Sequence, residues 1–271
     1  MVAWWTPEFS IWMMVITKKD IIKDLGVYMT SDLLFEVHIS ICVKKTQQTA
    51  AWTLRVFITR DKVVLKVLLQ SLIIPCIEYA SVVWCPFDQK NIKLIEGIQR
   101  RYTSKIWEYQ TWDEEQQRHI CTVNYWDRLK DLKIYSLERR RERFAILYVY
   151  RVLIGLLDFQ WFEVYMERGI RIKPKYNNKA ARKIRRVRHN SFFYKGPQLY
   201  NLLPPELRQF EPIENPCQTH VDEFKKKLDN YLTLIPDQPT VPGLHRAART
   251  NSLICQIPVY NRQQRQLGVR N

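Results

Sequence analysis

The chain has 271 residues, 46% of them apolar, enough to build one large core or two small ones. That balance excludes a disordered tail. Lys and Arg outnumber Asp and Glu 43 to 27, and residues 1–135 carry 18 basic and 15 acidic side chains while residues 136–271 carry 25 and 12.

The basic excess of the second half favours a polyanionic partner, nucleic acid before anionic membrane, because each phosphate neutralised releases condensed counterions. Six widely spaced cysteines include no CxxC pair and no zinc-knuckle spacing, which predicts reduced, mostly buried thiols and an intracellular protein, nuclear or cytoplasmic rather than secreted. The apolar run at residues 11–16 is too short to span a bilayer and has no basic region before it, so no signal peptide, transmembrane helix or membrane partner is expected.

In chain order, residues 11–16 and 24–29 are short apolar runs around a charged KKDIIK stretch and predict a small β-hairpin. From 36 to 58, Val37, Ile41, Ala50, Ala51, Leu54 and Phe57 fall mainly at three- and four-residue spacings, which predicts a long amphipathic helix. A second helix should begin near Asp61 and be kinked or ended by Pro75, which lacks a backbone donor. Residues 76–84 can resume it.

Asp88 suits the N-cap of a third helix, with Ile92, Ile95, Ile98, Tyr102 and Ile106 as its apolar stripe and Lys93, Arg100 and Lys105 opposite. An acidic loop, TWDEEQQRH, follows. Ser136 should cap a helix that opens as SLERRRER and is apolar on nearly every side from 144 to 157, a pattern that demands burial. Thr219 and Asp222 have capping-box spacing for a last helix whose face is Val221, Phe224, Leu228 and Tyr231. After Pro236 the proline-punctuated sequence predicts an extended tail. The fold class is therefore mainly α with a small N-terminal β-hairpin.

Between Arg168 and Lys195 there are eleven Lys or Arg residues and no acid. The candidate nucleic-acid contacts are Arg171, Lys173, Lys175, Lys179, Arg182, Lys183, Arg185, Arg186, Arg188 and Lys195. Interleaved Tyr176, Phe192, Phe193 and Tyr194 suit bases stacked along a single strand of RNA or DNA. The alternative is a solvated basic loop. Arg139, Arg140, Arg141 and Arg143 cannot all face one way on a helix, and Glu138 and Glu142 can pair with them within the turn. That block is either structural or a phosphate contact.

Two-metal nucleotidyl transfer needs converging carboxylates. The chain has no Asp-Asp pair, and Asp113, Glu114 and Glu115 sit in a polar segment without strand signals around it. Its five histidines accompany no GxSxG-type nucleophile motif, and seven glycines form no phosphate-cradling loop. No catalytic or metal-binding residue is assigned.

Seven segments in order resemble the end of the reverse transcriptase of jockey-like non-LTR retrotransposons, an RNA-directed DNA polymerase. They are KDLGVYMTSDLLFEVHI (23–39), LLQSLIIPCIEYASVVWCP (68–86), IEGIQRRYTSKI (95–106), YWDRLKDLKIYSLERRRERF (125–144), NSFFYKGPQLYNLLPPELR (190–208), FKKKLDNYLTLIPDQPTVPG (224–243) and TNSLICQI. The resemblance implies a palm-edge remnant in 1–35, a thumb-like helical unit in 36–106, a linker or insertion at 107–124, a basic helical region in 125–235 and an extended tail in 236–271.

In that family the fingers, palm and metal-binding aspartates precede the KDLGV segment, before which only 22 residues stand here. A non-catalytic fragment is expected, with no cofactor of its own, since magnesium would belong to the palm. The alternative is a protein-interaction module that docks onto a separate palm or another partner.

Overall fold

A computed structural model describes residues 19–59, 61–108, 112–115, 117–119, 121–157, 162–165, 171–174, 187, 189–208, 213–239 and 251–266. The chain opens on a hairpin of β1 (Ile21–Asp24) and β2 (Val27–Thr30), paired antiparallel with Ile21 opposite Thr30. Its two-residue turn places Leu25 at φ 42° and Gly26 at φ 85°, the left-handed geometry that matches strand twist. The hydroxyl of Tyr79 donates to the Leu25 carbonyl at 2.9 Å and pins the turn from a distance of 54 residues. The expected hairpin is thus present but shifted, because the tight Leu-Gly turn recruits the second half of KKDIIK as its first strand. Residues 11–16 lie outside the described residues.

Helix α1 (Glu36–Val56) forms where expected, but rotated about its axis. Its buried face is His38, Ile39, Val43, Thr46, Ala50 and Thr53, whereas Ile41 and Ala51 are exposed. Two threonines can replace aliphatic residues there because each hydroxyl bonds to the preceding turn, Thr46 to the Cys42 carbonyl at 2.7 Å and Thr53 to Thr49 at 2.8 Å.

Asp61 caps α2 (Lys62–Leu68) by accepting from the N–H groups of Val63 and Val64 at 2.7 and 3.0 Å. A π-helical turn, Leu69–Ile73, then leads into α3 (Ile74–Glu78), with the Ile74 N–H bonded to Leu69. Pro75 deprives the Ser71 carbonyl of its ordinary partner, and the helix widens just before it. After Ala80 (φ 52°), the short α4 (Ser81–Trp84) buries Trp84, whose indole N–H donates to the Tyr79 carbonyl at 2.7 Å.

Helix α5 (Gln89–Glu108) is capped by Asp88, which accepts from Lys90 N–H at 3.2 Å. Ile95, Ile98, Tyr102 and Ile106 are buried and Lys93, Arg100 and Lys105 exposed, as the stripe predicts. The acidic segment is not a plain loop: β3 (Trp112–Asp113) and β4 (Arg118–His119) form a minimal antiparallel ladder around it. Trp112, a strand former, supplies the pairing the polar composition concealed.

Helices α6 (Tyr125–Leu132) and α7 (Leu137–Leu153) follow, α7 capped by Ser136 through the Arg139 N–H at 3.3 Å. From Phe144 to Leu153 every residue of α7 is buried or half-buried. A hairpin of β5 (Phe162–Tyr165) and β6 (Arg171–Pro174) stands where only helix was expected. FEVY is rich in β-branched and aromatic residues, whereas RIKP, with one β-branched residue between two cations, carries little strand signal of its own.

Helices α8 (Phe192–Asn201), α9 (Pro205–Arg208) and α10 (Gln218–Thr233) come next. α10 starts two residues before the predicted cap, with Cys217 as N-cap and His220 Nδ1 accepting the Cys217 N–H at 3.3 Å. Its fully buried fourth position is Leu232 rather than Tyr231, which is half-buried. The tail is not wholly extended: α11 (Leu253–Gln266) buries Leu253 and Ile257 in the core. Pro258 lies inside this helix, at its sixth residue, and deprives the Ile254 carbonyl of its ordinary partner.

Two apolar clusters make up the core. Ile39, Leu65, Ile77, Ile95 and Leu129 belong to the first, and Ile146, Val149, Leu199, Leu228 and Ile257 to the second. α7 serves both, with Leu137 in one and Ile146 in the other. The chain is mainly helical with three small antiparallel ladders among the described residues.

Candidate nucleic-acid interface

The basic segment enters the described structure at two places. Arg171 and Lys173 lie in β6, opposite Tyr165 and Glu163 of β5. Lys195 lies half-buried in α8. Lys175, Tyr176, Lys179, Arg182, Lys183, Arg185, Arg186 and Arg188 fall outside the described residues.

Of the aromatic residues matched to base stacking, Phe192 has another role. It meets Tyr148 edge-on at 5.1 Å and packs on the second core. Gly196 brings α8 close to α7: a Cβ there would stand 2.8 Å from the Phe192 ring and 3.0 Å from Val149. Phe193 and Tyr194 remain half-buried, the latter 4.3 Å from His189.

The arginine block on α7 is largely structural. Arg139 is fully buried and donates to the carbonyls of Ile235 at 2.5 Å and Pro236 at 2.8 Å, gathering the end of α10, with Asp237 3.4 Å away. Arg140 grips Glu78 through two bonds of 2.5 and 2.9 Å, and Arg143 grips Asp229 at 2.5 and 2.6 Å. These forks hold α3 and α10 against α7. Glu142 reaches the start of the C-terminal helix instead of an arginine of its own turn, and Glu138 accepts from the Asn251 N–H at 3.2 Å.

Two buried carboxylates, Glu96 and Glu142, and the half-buried Asp237 cap helices across the fold. Glu96 accepts from the Tyr125 hydroxyl and from the N–H groups of Leu137 at 3.2 Å and Glu138 at 3.3 Å, at the start of α7. Glu142 accepts from Ser252 and the Leu253 N–H, both at 2.5 Å, at the start of α11. Asp237 accepts from the Ser136 N–H at 2.7 Å and its hydroxyl at 2.8 Å. Burial raises the Glu96 and Glu142 carboxyls above their ordinary range, against the pull of these donors. Burial likewise lowers His38, whose Nδ1 accepts the Tyr28 N–H at 3.3 Å and ties the hairpin to α1.

Sequence reasoning named Arg141 only as one of the arginine block, whereas the structure sets it apart, 4% exposed and lining a pocket together with Lys195. Nothing in RRR separates the middle residue from its neighbours. Among the described residues, no group of three or more His, Cys, Asp or Glu could hold a metal ion, and no helix is long and apolar enough to cross a membrane. All six cysteines are free thiols, five of them half-buried and Cys217 exposed.

No family model matches the chain, and neither the curated proteins nor the solved structures include a match.

Proposed function

We propose that this chain is the post-palm portion of a jockey-like non-LTR retrotransposon reverse transcriptase, a non-catalytic scaffold that holds RNA or single-stranded DNA. The observation that carries the reading is the run of seven family-like segments in family order from Lys23 to Ile257. Residues 36–106 then act as a thumb-like unit, and the basic stretch from Arg171 to Lys195 contacts the phosphate backbone. Its ten cations without an intervening acid support this, since neutralised phosphates make binding electrostatic and independent of base sequence.

Fluorescence anisotropy with labelled RNA and single-stranded DNA tests it. Affinity should fall steeply with added salt, and replacing Arg182, Lys183, Arg185 and Arg186 with Ala should flatten the salt slope by about three to four. Salt-insensitive binding, or none at low salt, sinks the reading.

A second reading, a module that docks on a separate palm, is favoured by one observation. The hairpin exposes Ile21, Ile22 and Leu25, and α2 exposes Val63, Val64 and Val67. Apolar side chains on an open hairpin edge invite a partner. The intact chain should bind an apolar dye, and Ile22→Ser with Leu25→Ser should reduce the signal. An unchanged signal in the double variant removes the hairpin from consideration.

A further inference from the structure

A pocket of about 220 Å³ opens where α4, α5, α7, α8 and α11 meet. Arg141 projects from α7 as part of its lining, and its buried Nη1 has no hydrogen-bond partner among the described residues. Arg139, Arg140 and Arg143, on the same helix, are each matched to carbonyls or a carboxylate. A buried guanidinium nitrogen without an acceptor is unfavourable, and it marks a place for an acceptor that no described residue supplies.

Three carboxylates lie near it: Glu138 and Glu142 line the same pocket, and the Arg141 charge favours the ionised form of Glu96, yet Arg141 Nη1 has no acceptor among the described residues. Both oxygens of Glu142 accept from the start of α11, and Glu138 accepts from the Asn251 N–H at 3.2 Å. Neither forms an ion pair with Arg141 among the described residues. Lys195 lines the same pocket from α8, while Phe87 and Leu199 supply apolar wall.

We infer that this pocket binds a phosphoryl group, taken by the Arg141 fork and the Lys195 ammonium. A phosphate oxygen supplies the acceptor that Arg141 Nη1 lacks, its paired oxygens fit the guanidinium fork, and Lys195 offers a further donor from the same wall. The group can come from a strand terminus or from free phosphate. The inference stands apart from the nucleic-acid reading, because inorganic phosphate alone suffices to fill the site.

Calorimetric titration of the full chain with inorganic phosphate, at matched ionic strength, decides it. One saturable site is expected, weakened about tenfold or more by Lys195→Met, the scale of one charge-assisted hydrogen bond. Arg141→Met should abolish binding, and Arg141→Lys, which keeps the charge beside Glu96 but loses the fork, should weaken it about tenfold or more. Absence of saturable heat, insensitivity to Lys195→Met, or undiminished binding in Arg141→Lys would each overturn the proposal. Competition by a short oligonucleotide with a 5′-phosphate, but not by its 5′-hydroxyl twin, assigns the site to strand ends. Equal failure of both to compete assigns it to free phosphate.

Discussion

Glu96 shows how one buried side chain in this protein joins three elements. It sits on α5, receives the hydroxyl of Tyr125 from α6 and caps the first turn of α7. The helix start offers unpaired N–H groups and a partial positive charge, so a carboxylate is the natural partner. Burial nonetheless outweighs these donors and lifts the carboxyl above its ordinary 4.5. A carboxyl raised on folding binds more protons in the folded state. Its contribution is fully present below 4.5 and is lost as pH rises through the folded value. The stability of wild type relative to Glu96→Gln should therefore grow as pH is lowered from about 7 toward 4.5, as read from urea unfolding at each pH. A flat difference, or one that shrinks on acidification, would mean that the charged form is the one the fold prefers. Glu142 is common to both proteins and drops out of the comparison.

At the scale of elements, local chemistry was legible and tertiary chemistry was not. Asp61, Asp88 and Ser136 could be read as caps because a short oxygen-bearing side chain bonds N–H groups two or three residues ahead, within its own stretch of sequence. The stripe of α5 was legible for the same reason. The rotation of α1 was not, since Thr46 and Thr53 count as polar until their hydroxyls are seen bonded to their own helix. The start of α10 at Cys217 was missed because a thiol is an uncommon cap, and Thr219 offered the familiar spacing. Glu142 looked like an intrahelical partner for arginine, yet it caps a helix 110 residues away, a relation no spacing rule encodes. The candidate site divides the same way. The run of cations from Arg171 to Lys195 is plain in the sequence, whereas the isolation of Arg141 depends on what its neighbours happen to reach.

For the whole molecule, α7 is the shared wall of both cores, and the C-terminal helix closes it. Leu253 and Ile257 are fully buried in the second cluster, and the start of α11 supplies both donors to Glu142. Asn251, just before it, hydrogen-bonds to Ser136 at 2.8 Å and to Asp237, beside the cap of α7. Ending the chain after Pro239 would expose the surface that these two side chains cover, at about 1.5–3 kcal/mol each. It would also leave the Glu142 carboxylate buried without its partners, which adds further cost. The truncated chain should thus lose about 4 kcal/mol or more, a large share of the roughly 5–15 kcal/mol that holds an ordinary domain. Urea unfolding followed by tryptophan fluorescence measures this as an earlier midpoint in the truncated protein. Trp84 and Trp107 report from the first cluster, so a shift in their transition would also show that the two cores unfold as one unit through α7. An unchanged midpoint would instead mean that α11 adds nothing to the fold and that the family-like TNSLICQI segment is retained for some reason other than stability.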